Sequence, residues 1–143
     1  MIRRLSERDH DKCLELLRPK SAENLFILGD LEAFGYEQEF QKVWGDFDET
    51  GKLRAVLLRY FNSFIPYAKS DFDVRGFANL ILSNPEEPVI SGKSAVVEKF
   101  EHIIGLDLGP KREMFFAECR HLISVNQTEH DIKLATIKDV DRI

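Results

Sequence analysis

The stretch Leu53–Lys69, LRAVLLRYFNSFIPYAK, is dense in β-branched, aromatic and leucine residues, which is the composition of buried strands. Asn62 and Ser63 interrupt the apolar run where a bend can form, so the stretch predicts two consecutive strands. Pro66 has no amide hydrogen to donate to a strand ladder. It therefore predicts either a bulge or an unpaired edge in the second of these strands.

A further strand is predicted just before this stretch, over Gln41–Phe47. The residues that separate it from Leu53 are mostly polar or turn-forming, so the three strands should form an antiparallel meander. Val43 and Phe47 are an even number of residues apart and should share one face of the sheet.

Helices are predicted on both sides of the meander, because apolar residues recur there at spacings of three and four. Upstream, a short helix should begin at a capping box of Ser6 and Asp9 and end at Pro19. A second should run from Ser21 to Gly35. The remaining expected elements are an opening strand at Ile2–Leu5, a helix capped by Asp71 or Asp73 and ending at Asn84, a strand at Val89–Ile90, a helix from Ser94 to Gly105, a strand buried on both faces at Lys111–Arg120 and a strand at Ile132–Ile137.

Composition narrows the class of protein. The chain has 143 residues, 43% of them apolar, which is enough for one domain with a hydrophobic core but too few for two full domains. It has no apolar run near the roughly 18 residues of a membrane helix and no signal-peptide pattern, so a cytoplasmic location and no membrane partner are expected. A net charge of −5 without a long block of either sign argues against a nucleic-acid partner. Cys13 and Cys119 are predicted to be buried, unpaired thiols.

The predicted order of elements, β-α-α-β-β-β-α-β-α-β, resembles the Gcn5-related N-acetyltransferase (GNAT) family over nearly the whole chain. The resemblance implies an α/β fold of the α+β type with a mixed sheet. The tail Leu134–Ile143 resembles the first strand and helix of a second such domain, as does the opening Met1–Asp11. The resemblance implies that the chain comes from a tandem acetyltransferase. It would then consist of a GNAT-like domain (1–122), a linker (123–131) and the start of a second GNAT domain (132–143).

The resemblance also implies where acetyl-CoA would bind. In this family, backbone amides of a glycine-containing loop and the following helix N-terminus hold the cofactor pyrophosphate. Lys69–Ala78, KSDFDVRGFA, occupies the matching place, and two aspartates there would oppose phosphate binding through like charge. The alternative is that Arg75 is a solvated helix residue and that Gly76 only allows close packing. The cofactor-binding candidates are Arg75, Gly76 and Ala78.

Catalytic residues are harder to assign. The family often uses a tyrosine on the fourth helix to protonate the departing thiolate, but Phe100 stands near that position and has no proton to give. Tyr67 and Tyr60 are the phenols near the sheet, with Tyr67 the catalytic candidate and packing the alternative for both. No metal site is predicted, because the four histidines lack metal-ligand spacing: they are His10, His102, His121 and His130.

Three functions remain open. The leading prediction is a non-catalytic N-terminal GNAT-like domain that serves substrate recognition or packs against a C-terminal GNAT domain of the same chain, with weak or absent acetyl-CoA binding. The first alternative is that this domain itself binds acetyl-CoA and acetylates a small-molecule or protein amine. The second is an interaction module that docks through an open sheet edge, including the edge of a second copy in a homodimer.

Overall fold

The computed structural model describes residues 1–119, 121 and 136. Within them, the chain forms a mixed α/β domain with one five-stranded sheet and four α-helices. In chain order the elements are β1 (Ile2–Arg4), α1 (His10–Leu17), α2 (Leu25–Phe34), β2 (Gln41–Phe47), β3 (Leu53–Tyr60), β4 (Ser63–Ala68), α3 (Val74–Leu82), β5 (Val89–Ile90) and α4 (Ser94–Val97).

The sheet has the order β1-β2-β3-β4-β5, so each strand lies beside its neighbour in the chain. β1 to β4 pair antiparallel, which confirms the predicted meander, and β5 returns parallel to β4 after α3. Val43 and Phe47 belong to the same core cluster, as predicted, although the register shifts between Asp46 and Phe47.

Helices cover the sheet on both faces. One core cluster joins α1 and α2 to Val56 and Leu58, whereas the other joins α3 and α4 to Ala55 and Leu57. Because successive side chains of a strand point to opposite faces, β3 supplies both clusters. A strand buried on both faces needs an almost continuous apolar run, and this explains the composition of the stretch that begins at Leu53.

Pro66 lies at an unpaired edge and not at a bulge. It pairs with Leu57 in the regular register of β3 and β4. The carbonyls of Asn62 and Phe64 accept hydrogen bonds from the other side, from Val89 and Ser91. Pro66 alternates with these two residues, so its nitrogen faces the same side as their carbonyls. Among the described residues, β5 pairs with β4 over only two positions, Ser63 and Phe64, and the strands separate before Pro66.

The helices begin close to where capping chemistry predicts. Ser6 and Asp9 form the predicted capping box, ahead of a 3-10 turn and α1. Asp73 caps α3 with its side chain. Two bounds differ from the prediction: α2 begins at Leu25 and not at Ser21, and α3 ends at Leu82, before Asn84.

Two predicted elements are wrong in the described residues. Residues 111–119 form no strand, and their apolar side chains Met114, Phe115 and Phe116 are exposed. A strand requires a paired neighbour, which apolar alternation alone does not supply. The helix predicted from Ser94 to Gly105 is reduced to α4 and a 3-10 turn at Glu98–Phe100. The α-helix ends at Val97, and Ile103 and Ile104 lie in the irregular segment that follows the 3-10 turn.

The two cysteines have different environments. Cys13 is buried and unpaired, as predicted, but the prediction for Cys119 is wrong because this residue is exposed. Its exposure follows from the absence of strand packing over 111–119. The predicted linker (123–131) lies outside the described residues, as does the strand at Ile132–Ile137 except for its residue 136.

Candidate functional site

The N-terminus of α3 is the place at which the sequence predicts the cofactor loop, and its amides already have protein acceptors. Asp73 is the N-cap residue, and its Oδ1 accepts a hydrogen bond from the Gly76 amide at 2.8 Å. The Val74 amide donates to the Phe72 carbonyl, and the Phe77 amide donates to the Asp73 carbonyl. A phosphate bound here would therefore compete with the Asp73 carboxylate for the helix N-terminus.

The three predicted cofactor residues have three different environments. Ala78 is fully buried in the core, on the inner face of α3. At Gly76, a Cβ atom would collide with the Ile2 side chain and the Asp73 carboxylate, so close packing requires glycine there. Arg75 is exposed at the surface, where its guanidinium is accessible to a ligand. The packing alternative thus accounts for Gly76, while the cofactor role of all three residues stays a prediction.

A buried aspartate that the sequence analysis missed lies behind this helix terminus. Asp46 Oδ2 accepts hydrogen bonds from the Asp73 amide and from Arg54 Nε, both at 2.8 Å. Its other carboxylate oxygen lies 3.1 Å from the amino group of Met1. Burial alone would raise the pKa of Asp46, but the hydrogen bonds from Asp73 and Arg54 outweigh this effect and keep the pKa below its ordinary value. The carboxylate therefore holds the start of α3 against the sheet, while Arg54 and the Met1 amino group compensate its charge.

Negative charge lies at the exposed start of α3. Asp71 is fully solvent-exposed, with Lys99 Nζ 3.0 Å from its carboxylate, and Asp73 is also exposed. An ion pair between exposed groups is weak and screened by salt, so Lys99 neutralises Asp71 only in part. The electrostatic environment of this helix N-terminus is consequently unfavourable for a pyrophosphate.

The opening between β4 and β5 is the second part of the candidate site. Gly92 has φ +154°, and a Cβ atom there would lie 3.2 Å from the Pro66 carbonyl oxygen. Glycine is thus required where the chain leaves β5 beside Pro66. The pairing of β5 with β4 ends before this point, which leaves one edge of the second half of β4 without a paired strand in the described part of the chain.

Tyr67 is not brought together with the predicted cofactor residues. It is 7% exposed and packs in the core cluster of α1 and α2, whereas Ala78 belongs to the cluster on the opposite face of the sheet. Phe100 is fully buried in that second cluster. These positions describe Tyr67 and Phe100 as packing residues, and a catalytic role for Tyr67 stays a prediction.

A second polar cluster, which the sequence analysis also missed, joins α1 to Tyr36, just beyond the end of α2. His10 Nδ1 lies 3.2 Å from the Tyr36 hydroxyl, and Cys13 lies on the same side of α1. Burial raises the pKa of the Cys13 thiol to about 11 and also raises the pKa of Tyr36. Both groups are therefore neutral near pH 7, and Cys13 is not poised as a thiolate nucleophile. The sequence signal was the i, i+3 spacing of His10 and Cys13.

The described residues contain no cluster of three or more metal-ligating side chains. Nor does any helix among residues 1–119 have the length and apolar character needed to cross a membrane. Comparison with known proteins gives no match to a protein family, to a curated protein or to a solved structure.

Proposed function

We propose that this chain is a GNAT-like domain of an N-acetyltransferase and that it serves substrate recognition or domain packing, not acetyl transfer itself. Support for the family comes from the order of the elements and from the mixed sheet, in which β5 pairs parallel with β4. In the family that the chain resembles, a bulge that splays the fourth strand makes room for the pantetheine arm of acetyl-CoA. Here Pro66 keeps the regular register with β3, and β5 pairs with β4 only at Ser63 and Phe64.

The observation that carries the non-catalytic part of the proposal is the self-capped start of α3. Asp73 occupies the Gly76 amide, and Asp46 occupies the Asp73 amide. A cofactor pyrophosphate would need these backbone donors and would meet carboxylates in their place. Phe100 has no phenol and the Tyr67 phenol is buried, so neither residue presents a phenol at the surface of the domain. This also supports a non-catalytic role for the domain.

The proposed partner is a catalytic GNAT domain that follows in the same chain, in a cytoplasmic protein. Support for this arrangement comes from the sequence of residues 132–143, which resembles the opening of the present domain. The acetyl acceptor would be an amine. This domain would either bind the amine together with the catalytic domain or deliver the amine to it.

Calorimetric titration of residues 1–143 with acetyl-CoA tests the proposal. We expect no binding tighter than a Kd of about 10 μM, which corresponds to roughly −7 kcal/mol. Replacing Asp73 with serine keeps an N-cap side chain but removes its charge. The D73S variant should therefore bind acetyl-CoA more tightly than the natural chain if the carboxylate blocks the site. The matched control is Asp11→Asn, which removes an exposed carboxylate from α1.

Tight binding would favour the rival function. The separation of β4 and β5 is the observation on which that rival rests. If the natural chain bound acetyl-CoA with a Kd at or below about 10 μM, and Arg75→Glu weakened that binding, the domain itself would be the acetyl-CoA site. Acetyl transfer to an amine would then belong to this domain.

A further inference from the structure

Four aromatic rings meet at the end of the sheet where β3 turns into β4. We name them the aromatic end patch and define it as Phe34, Phe40, Tyr60 and Phe61. Phe34 comes from the end of α2, Phe40 precedes β2, and Tyr60 and Phe61 lie at the hairpin. Their contacts have centroid separations between 5.0 Å (Tyr60–Phe61) and 5.9 Å (Phe34–Tyr60). Phe61 is 55% exposed and Phe34 37% exposed, so the patch faces solvent.

Phe61 occupies a backbone conformation that disfavours its own side chain. Its φ is +52°, and it is the one non-glycine residue with positive φ in the described part of the chain. A two-residue hairpin turn accepts glycine or asparagine at such a position without steric cost, whereas a bulky aromatic residue is strained there. The Phe61 amide donates to the Phe40 carbonyl at 2.7 Å, and the two rings stack at 5.5 Å. Strain combined with an exposed apolar ring indicates that this ring serves something other than stability.

Acidic side chains surround the patch. Two glutamates flank it in the loop before Phe40, where Arg59 donates to the Glu39 carbonyl at 2.8 Å. The opposite flank is fixed by Asn62, whose side chain donates to the Glu87 carbonyl at 3.0 Å. Lys42 and Arg59 are the half-buried bases of this region. The exposed acidic residues of these two flanking loops are Glu37, Glu39, Glu86 and Glu87.

We propose that the aromatic end patch binds a lysine- or arginine-containing peptide segment of a partner protein. A cationic side chain over the face of an exposed ring gains a cation–π interaction, and the surrounding carboxylates add charge complementarity. A second copy of this chain fits less well, because a two-fold contact through this patch would bring the same glutamates of both copies together. The interaction is separate from acetyl-CoA binding, since the patch lies at the Ser63 end of β4 whereas the start of α3 follows its other end.

Fluorescence anisotropy with the 143-residue chain tests whether the aromatic end patch binds a cationic peptide. The probe is a labelled peptide of about a dozen residues that alternates lysine and alanine, compared with the same peptide carrying glutamate in place of lysine. We expect the lysine peptide to bind, the glutamate peptide not to bind, and the affinity to fall several-fold between roughly 50 and 200 mM salt. A double E37Q/E39Q substitution should weaken binding and flatten that salt dependence.

Phe61→Gly separates binding from folding. Glycine relieves the positive φ, so the thermal midpoint should stay the same or rise, while affinity for the lysine peptide should fall about tenfold or more. Phe26→Ala is the matched control, because Phe26 is 68% exposed on α2 but lies outside the patch. Its affinity should equal that of the natural chain.

Five results would overturn the proposal, and four of them concern binding or self-association. They are no binding of the lysine peptide up to about 1 mM, equal binding of the glutamate peptide, unchanged binding by F61G, or a dimer in sedimentation that F61G dissociates. The last result would assign the patch to a second copy. A fall in thermal midpoint parallel to the loss of binding in F61G would likewise overturn it, because the ring would then act only in folding.

Discussion

Gly76 is a residue whose identity packing determines. A side chain at this position would meet Ile2 and the Asp73 carboxylate, and Asp73 also caps α3. We expect Gly76→Ala to lower the free energy of unfolding by about 1–3 kcal/mol, since overpacking forces neighbours apart. Gly29→Ala is the matched control, because nothing lies within 4 Å of a Cβ atom there and alanine favours the helix. It should raise the free energy of unfolding by about 0.5–1 kcal/mol.

Urea unfolding, monitored by circular dichroism, measures both glycine variants. Changes of the same sign and size would contradict the packing account of Gly76. They would reopen the alternative that this glycine is present so that a ligand can approach the backbone.

Asp9 is the residue from which we expect a pH dependence of stability. Arg3 donates two hydrogen bonds to its carboxylate, at 2.9 and 2.6 Å, and lowers the pKa of Asp9 from 3.8 to about 2. Because the folded pKa lies below the unfolded one, the stabilisation is complete above the unfolded value of 3.8 and is lost as the pH falls toward about 2. Asp9→Asn should therefore cost about 1–3 kcal/mol at pH 6 and much less near pH 2.

Urea unfolding at about pH 6, 4 and 2.5 checks the Asp9 prediction. Asp11→Asn is its control, because Asp11 is an exposed carboxylate on the neighbouring helix α1. A difference between natural chain and Asp9→Asn that stayed constant across these pH values would show that the Arg3–Asp9 pair does not cause the pH dependence.

At the scale of elements, the sequence predicted those strands and helix ends that depend on residues close together in the chain. The apolar run from Leu53 predicted β3 and β4, and the predicted cap at Asp71 or Asp73 placed the start of α3, which Asp73 caps. Pro66 predicted a bulge or an unpaired edge, and the unpaired edge is found where the pairing of β5 with β4 ends. Residues 111–119 failed as a predicted strand, because a strand depends on a partner that alternation does not identify.

The candidate site shows the same limit. Its predicted position at the start of α3 came from the family resemblance, whereas the helix cap and the glycine found there could be identified from the residues themselves. The carboxylate behind it could not, because Asp46 and Asp73 are 27 residues apart and meet only when the sheet forms. The aromatic end patch likewise joins rings from α2, a loop and the hairpin between β3 and β4. The one sequence signal of the carboxylate behind the site was an aspartate, Asp46, inside an apolar strand.

At the scale of the whole molecule, the last large core side chains of the described chain belong to residues 96–108. Leu106 is buried in the cluster beneath α3 and Leu108 packs partly against the same cluster, whereas Phe115 and Met114 are fully or almost fully exposed. Lys111 forms ion pairs with Glu98 and neighbouring glutamates, but these pairs are exposed and therefore weak. The apolar side chains of residues 111–119 thus add little to the core of this domain.

Truncation therefore gives the last prediction. If residues 132–143 begin a second domain, removing residues 111–143 should leave the free energy of unfolding of this domain almost unchanged. Removing residues 104–143, which also deletes Leu106, should cost about 2–5 kcal/mol, because the core then loses a buried leucine. Urea unfolding of both truncated chains, with the slope as well as the midpoint recorded, distinguishes them. A loss of several kcal/mol in the longer truncated chain would mean that the tail belongs to this domain's core, and the tandem arrangement would lose its strongest support.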